Sequence, residues 1–190
     1  ISGNVKIDKT DKIKIFLDIG SCWGIYSLRL SKIKKLKIFS FDPIKKNIKR
    51  LDEMIKINRI KNIKTFNTAL GNEKKKIKFY GLEDYTSNYT LYRKNEKNIA
   101  ICNIDKLDNI LKIKKNFLYL KVDIEGSEYP FLLGSKNFIR NNNIIMQIEI
   151  FKKNKKKIFN FLQKNNFSCI LENTNDYIFS NFKTKNPQKF

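Results

Sequence analysis

Hydrophobic residues along this 190-residue chain gather in two kinds of segment that alternate. Short runs at Ile13 to Leu17, Leu36 to Phe41, Asn62 to Thr68, Phe117 to Ile124 and Ile144 to Ile150 have the length and the apolar content of buried strands. Between them the spacing becomes helical. Ile25 to Leu30 opens one helix, and Ile44, Ile48, Leu51 and Ile55 recur every three or four residues as the stripe of a second. Pro43 suits the first position of that helix, with Asp42 as its cap. Shorter or later helices are predicted at Asp105 to Lys112, from Ser127 to Phe138 with Pro130 near the start, and at Lys153 to Lys164. Residues 71–104 break the alternation. They predict a hairpin around Lys76 to Tyr80, a polar stretch from Glu83 to Asn98 and a strand at Ile99 to Ile104. The polar stretch holds Tyr85, Tyr89 and Tyr92 and is the place for a substrate-facing loop. Phe167 to Leu171 and Tyr177 to Phe179 predict an antiparallel pair at one edge. The pattern is that of an α/β protein, a mostly parallel sheet with helices on both faces, in a single domain over 1–190.

Composition narrows the chemistry. There is no histidine, which removes Ser-His-Asp and Cys-His hydrolases and His-ligated metals together. Acid–base work falls to Asp, Glu, Lys, Tyr or water. Cys22, Cys102 and Cys169 are widely spaced and odd in number, so a reducing, cytoplasmic setting is expected rather than disulfides or zinc. Cys22, with no base to activate it, reads as a filler residue. No apolar run nears the ~18 residues of a membrane span, and no signal-peptide pattern is present. The net charge of +22 invites nucleic acid, yet it is carried almost wholly by lysine spread along the chain, with five arginines. Compositional drift accounts for it better than a functional basic face, although peripheral contact with acidic surfaces remains electrostatically favourable.

The chemistry concentrates at strand ends. The first strand runs into Asp18-Ile-Gly-Ser-Cys-Trp-Gly24, a D-x-G-x-x-x-G turn leading to a helix. Its glycines permit φ > 0 and a close ligand, and the acid in place of a first glycine would repel a pyrophosphate but suits an ammonium or sulfonium. Asp42 ends the second strand, where a carboxylate can accept both hydroxyls of a ribose. Asp123, Glu125 and Glu128 crowd the turn after another strand, and Glu149 ends the next. In such sheets ligands collect outside the carboxyl ends of the strands.

Asp18-Ile-Gly-Ser-Cys-Trp-Gly24, Phe41-Asp-Pro43, Thr68-Ala-Leu-Gly71, Ile104-Asp-Lys-Leu-Asp108 and Leu120-Lys-Val-Asp-Ile-Glu-Gly-Ser-Glu128 stand in the order found in FkbM-type methyltransferases. The chain resembles that family over about 13–180, most specifically in the K-x-D-x-E-G-x-E element. It departs from it at Cys22-Trp23, where small and Asn-like residues are usual, and at Asp42, where Glu is commoner. The resemblance implies a Rossmann-like seven-stranded fold with S-adenosylmethionine as cofactor. Asp18, Gly20, Ser21 and Gly24 would line its methionine part, Asp42 its ribose, and Ala69 and Leu70 its adenine. The implied reaction is methyl transfer to a hydroxyl of a sugar, glycolipid or other small natural product, with Asp123 or Glu125 taking the proton and no metal required. Glu128 is expected to be structural, and Glu149 has no assigned role. An RNA methyltransferase would instead place lysines and an aromatic slot on the acidic rim. The N/D-P-P-Y/F motif of base-methylating enzymes is absent. A non-catalytic Rossmann-like binding module is the remaining alternative. Replacing Asp42 by Ala is expected to weaken cofactor binding without unfolding the chain.

Overall fold

The structure, a computed structural model, describes residues 13–81 and 98–183. The elements in chain order are β1 (Ile13–Ile19), α1 (Ile25–Leu30), β2 (Lys37–Phe41), α2 (Lys45–Ile57), β3 (Ile63–Phe66), β4 (Ala69–Leu70), β5 (Lys75–Gly81) and β6 (Asn98–Asp105). They continue as α3 (Leu107–Ile110), β7 (Phe117–Val122), α4 (Glu128–Leu133), α5 (Lys136–Arg140), β8 (Asn143–Glu149), α6 (Lys155–Lys164), β9 (Ser168–Asn173) and β10 (Asp176–Ser180).

The main sheet has seven strands in the order β3-β2-β1-β7-β8-β10-β9. The five from β3 to β8 are parallel, and β10 and β9 close one edge antiparallel. The chain steps outward through β1, β2 and β3, then returns to lay β7 against β1. Strand order therefore reverses between β1 and β7, the place where such sheets open a crevice. One face carries the main core. There Leu17, Leu118, Leu120, Val122, Met146 and Ile148 are buried with Phe131, Leu132, Ile139, Ile158 and Leu162 of the helices.

The opposite face is built in rows, because partners in register on parallel strands point the same way. Phe16, Ile38, Tyr119 and Ile145 form an apolar row, with the Phe16 and Tyr119 ring centroids 5.9 Å apart. The next row is Ser40, Asp18, Lys121 and Gln147. Two residues further along these four chains stand Asp42, Gly20, Asp123 and Glu149, the last paired with Asp176. Hydrocarbon thus gives way to mixed polarity and then to acid toward the carboxyl ends.

Four local expectations change. The helix expected over 127–138 is two helices, α4 and α5, broken at Gly134-Ser135. A Cβ at Gly134 would lie 1.8 Å from the Gly71 carbonyl oxygen, and the Asp108 carboxylate accepts from the backbone N–H groups of Asn137 and Phe138 to start α5 afresh. Helix α2 begins at Lys45, after Pro43, with Asp42 accepting from the Ile44 N–H at 2.8 Å. The hairpin expected around Lys76 to Tyr80 is wider, with β5 pairing antiparallel to β6 in a small sheet ordered β4-β6-β5. Helix α3 spans only Leu107–Ile110 of the expected 105–112. The stretch with Tyr85, Tyr89 and Tyr92 lies outside the described residues.

Candidate active site

Asp18 is fully buried one row below the strand ends. Its Oδ2 accepts from the Ser27 hydroxyl of α1 at 2.6 Å, and Ser27 shares a further hydrogen bond with Ser40 at 2.7 Å. Its Oδ1 has no partner among the described residues. Burial pushes the Asp18 carboxyl above its ordinary range, against the pull of Lys121 and Ser27. Ser21, in the turn above, also holds a buried hydroxyl without a partner among the described residues. Buried polar atoms are rarely left unpaired, so two of them around one glycine turn are consistent with a polar ligand.

The glycines of that turn answer to packing. Gly20 has φ +78°, and a Cβ there would stand 1.8 Å from the Asp123 carbonyl oxygen. Gly24 has φ +74°, and its Cβ would meet Leu51 Cδ1 of α2 at 2.3 Å. At both positions the space is already taken by protein, so these glycines let the turn sit tightly on its neighbours. The N–H groups of Gly20 and Ser21 both donate to the Phe41 carbonyl, which locks the turn over the end of β2.

Asp42 is buried and heavily engaged. Oδ1 accepts from Ile44 N–H and from Asn47 Nδ2 at 3.1 Å, and Oδ2 accepts from Cys22 N–H at 2.9 Å. Burial raises its carboxyl to about 6 in spite of these bonds. A carboxylate has about four acceptor positions, and three are taken. Burial and the nearby Asp42 push the Cys22 thiol upward, which fits a filler role and not a nucleophile.

Asp123 is half exposed, and its Oδ2 lies 3.2 Å from Lys121 Nζ. Glu125 follows in a left-handed conformation, φ 53°, at the crest of the same turn. Glu128 is buried and its Oε1 accepts from Gly126 N–H at 2.9 Å, so it closes that turn. Glu149 is raised to about 7 by partial burial and by Asp123, Glu125, Asp176 and Glu128. Ala69 and Leu70 are buried in the small-sheet and main cores, their strand pairs with β6, and the Ala69 carbonyl also accepts from Thr68 Oγ1 at 3.1 Å. Nearby, a cavity of about 480 Å³ is bordered by Phe66, Asn67, Thr68 and Lys74 to Lys76. Among the described residues no group of three or more His, Cys, Asp or Glu side chains is arranged to hold a metal ion, and no helix is long and apolar enough to cross a membrane.

Asp18, Gly20, Ser21, Asp42 and Asp123 are thus brought together where strand order reverses. Three members of the same face had no role in the sequence reading. Lys121 was legible as a cation inside an apolar strand, and Asp176 only through its register with Glu149. Ser27 carried no signal.

Residues 18–169 match the profile of the methyltransferase FkbM domain. The chain belongs to the FkbM methyltransferase family. Its members are S-adenosylmethionine-dependent enzymes. Solved structures agree on the Rossmann-like fold of this class. A methyltransferase FkbM from Methylobacillus flagellatus KT superposes with TM-score 0.65 at 15% identity, covering 88% of this chain and 43% of that one. The present chain therefore spans less than half the length of that relative. A protein of Streptococcus mutans described as a methyltransferase, solved in complex with SAH, gives TM-score 0.54 at 14% identity, covering 90% and 88%. An rRNA methylase from Streptococcus thermophilus gives 0.52 at 11%, covering 90% and 86%. Comparison with curated protein sequences yields no match.

Proposed function

We propose that this FkbM domain transfers a methyl group from S-adenosylmethionine to a hydroxyl oxygen of a glycan or other small molecule. The observation that carries this is the buried Asp18 carboxyl, one oxygen of which has no partner among the described residues, close enough to Asp42 and Asp123 to feel their charge. When bound, the cofactor supplies an electrophilic methyl and its own leaving group. Asp18, Gly20, Ser21 and Gly24 would hold its methionine end, the first through charge and the glycines by shaping the turn. Asp42 keeps one acceptor position for a ribose hydroxyl, and Ala69 and Leu70 would border the adenine. The protein's remaining task is alignment, since in-line displacement needs nucleophile, carbon and sulfur in one row. Asp123, half exposed on the rim, would take the acceptor's proton as its oxygen is methylated, with Glu125 as the alternative base on the same turn.

Isothermal titration of the chain with S-adenosylmethionine and with NAD is the deciding experiment. Binding of the first and none of the second is expected. Preferential binding of NAD, or of neither, would overturn the proposal. Incubation with hydroxyl-bearing glycans and with RNA then separates acceptor classes by release of S-adenosylhomocysteine. Asp123→Asn is expected to slow that release by about 10²–10⁴-fold while leaving cofactor affinity within about twofold.

A further inference from the structure

Position 121 is the second-last of a central strand, in the row shared with Ser40, Asp18 and Gln147. The lysine that stands there is only 8% exposed. A cation so placed is costly unless its surroundings repay the lost hydration. Lys121 Nζ lies 3.2 Å from Asp123 Oδ2, 3.4 Å from the Gly20 carbonyl oxygen and 5.2 Å from the centre of the Tyr26 ring. An ammonium has three N–H donors, and two are directed at Asp123 and Gly20. Asp18 sits next to Lys121 in register across β1 and β7, about 4.8 Å away at the backbone. Asp18 brings a carboxyl oxygen with no partner among the described residues, and Lys121 an ammonium with a third N–H beyond those directed at Asp123 and Gly20. Side by side, they complement the ammonium and the carboxylate that share one carbon in an amino acid.

We propose that Lys121 anchors the α-carboxylate of the donor's amino-acid end, paired with Asp18 on the ammonium side. This rests on the donor assignment made above. It makes Lys121 a binding residue that also ties the glycine turn to Asp123, so donor occupancy and the orientation of the candidate base are linked through one side chain.

Affinities measured by isothermal titration test it without any methyl acceptor. The probes are S-adenosylhomocysteine, its decarboxylated analogue, which keeps the amine, and 5′-methylthioadenosine, which lacks the whole amino-acid part. A charge-assisted hydrogen bond of about 1.5–3 kcal/mol corresponds to a loss of about 10- to 150-fold. The wild-type chain is expected to bind the decarboxylated analogue that much more weakly than S-adenosylhomocysteine. Lys121→Met should erase the difference between these two ligands and leave 5′-methylthioadenosine within about twofold, whereas Lys121→Arg should retain most of it. Should Lys121→Met fail to fold, the wild-type comparison and Lys121→Arg still decide. Equal wild-type affinity for the two amine-bearing ligands, or an equal loss of all three in Lys121→Met, would overturn the anchor while leaving the donor assignment intact. A wild-type chain that binds none of the three removes the donor assignment and the anchor together.

Discussion

At the scale of single residues, Asp42 shows how one carboxylate can oppose stability to binding. Its carboxyl is raised to about 6 by burial, above the ordinary value of an unfolded aspartate. Its contribution to stability is therefore full below about 4 and is lost as pH rises through about 6. Acceptance of ribose hydroxyls runs the other way, since the ionised form is the better acceptor. Between pH 4.5 and 7.5 the melting temperature should lose an increment while affinity for S-adenosylhomocysteine gains one. Asp42→Asn should flatten both trends. Opposed trends that persist in that variant would assign them to another group. The simpler Asp42→Ala is less clean than the sequence implied. It would strand the N–H donors of Cys22 and Ile44 and take an acceptor from Asn47, so a lower melting temperature is expected alongside weaker binding.

At the scale of elements, the glycine turn and the helix break show what a sequence exposes and what it conceals. Strands β1, β7 and β8 were legible because central parallel strands are apolar on both faces, and the turn was legible because its glycines follow such a strand. The purpose of those glycines was not, since the atoms they make room for come from Asp123 and Leu51, far along the chain. The need for glycine at position 134 was hidden for the same reason, because the atom it makes room for belongs to Gly71. These contacts rank the expected losses. Gly20→Ala meets backbone and should leave little folded protein. Gly24→Ala meets a side chain that can turn aside and should cost about 1–3 kcal/mol in urea unfolding. In a Leu51→Ala background Gly24→Ala should cost clearly less, because the two changes share one contact. Strict additivity would show that the positive φ alone sets the penalty.

At the scale of the whole molecule, a chain of net charge +22 places acid where its sheet ends. Asp42 and Asp123 follow the ends of β2 and β7, Glu149 ends β8 and pairs with Asp176, and these strand ends lie near one another because β2, β1, β7 and β8 are adjacent. Residues 82–97 lie outside the described residues, so this group of acids is the part of the site that the fold explains. A group of like charges destabilises itself and awaits a cation. Glu149 is raised to about 7, so the group becomes more negative as pH passes through neutrality. S-adenosylmethionine carries a sulfonium charge that S-adenosylhomocysteine lacks, and only the charged ligand gains from that change. The ratio of their affinities should therefore shift toward S-adenosylmethionine between pH 6 and 8. Glu149→Gln should hold the ratio nearly constant and should raise the melting temperature at pH 8.5 more than at pH 5, because the group's stabilising contribution is already lost above its raised value. A wild-type ratio that does not move with pH would mean that Glu149 lies too far from the donor to sense its charge, and would confine cation selectivity to Asp18 and Asp42.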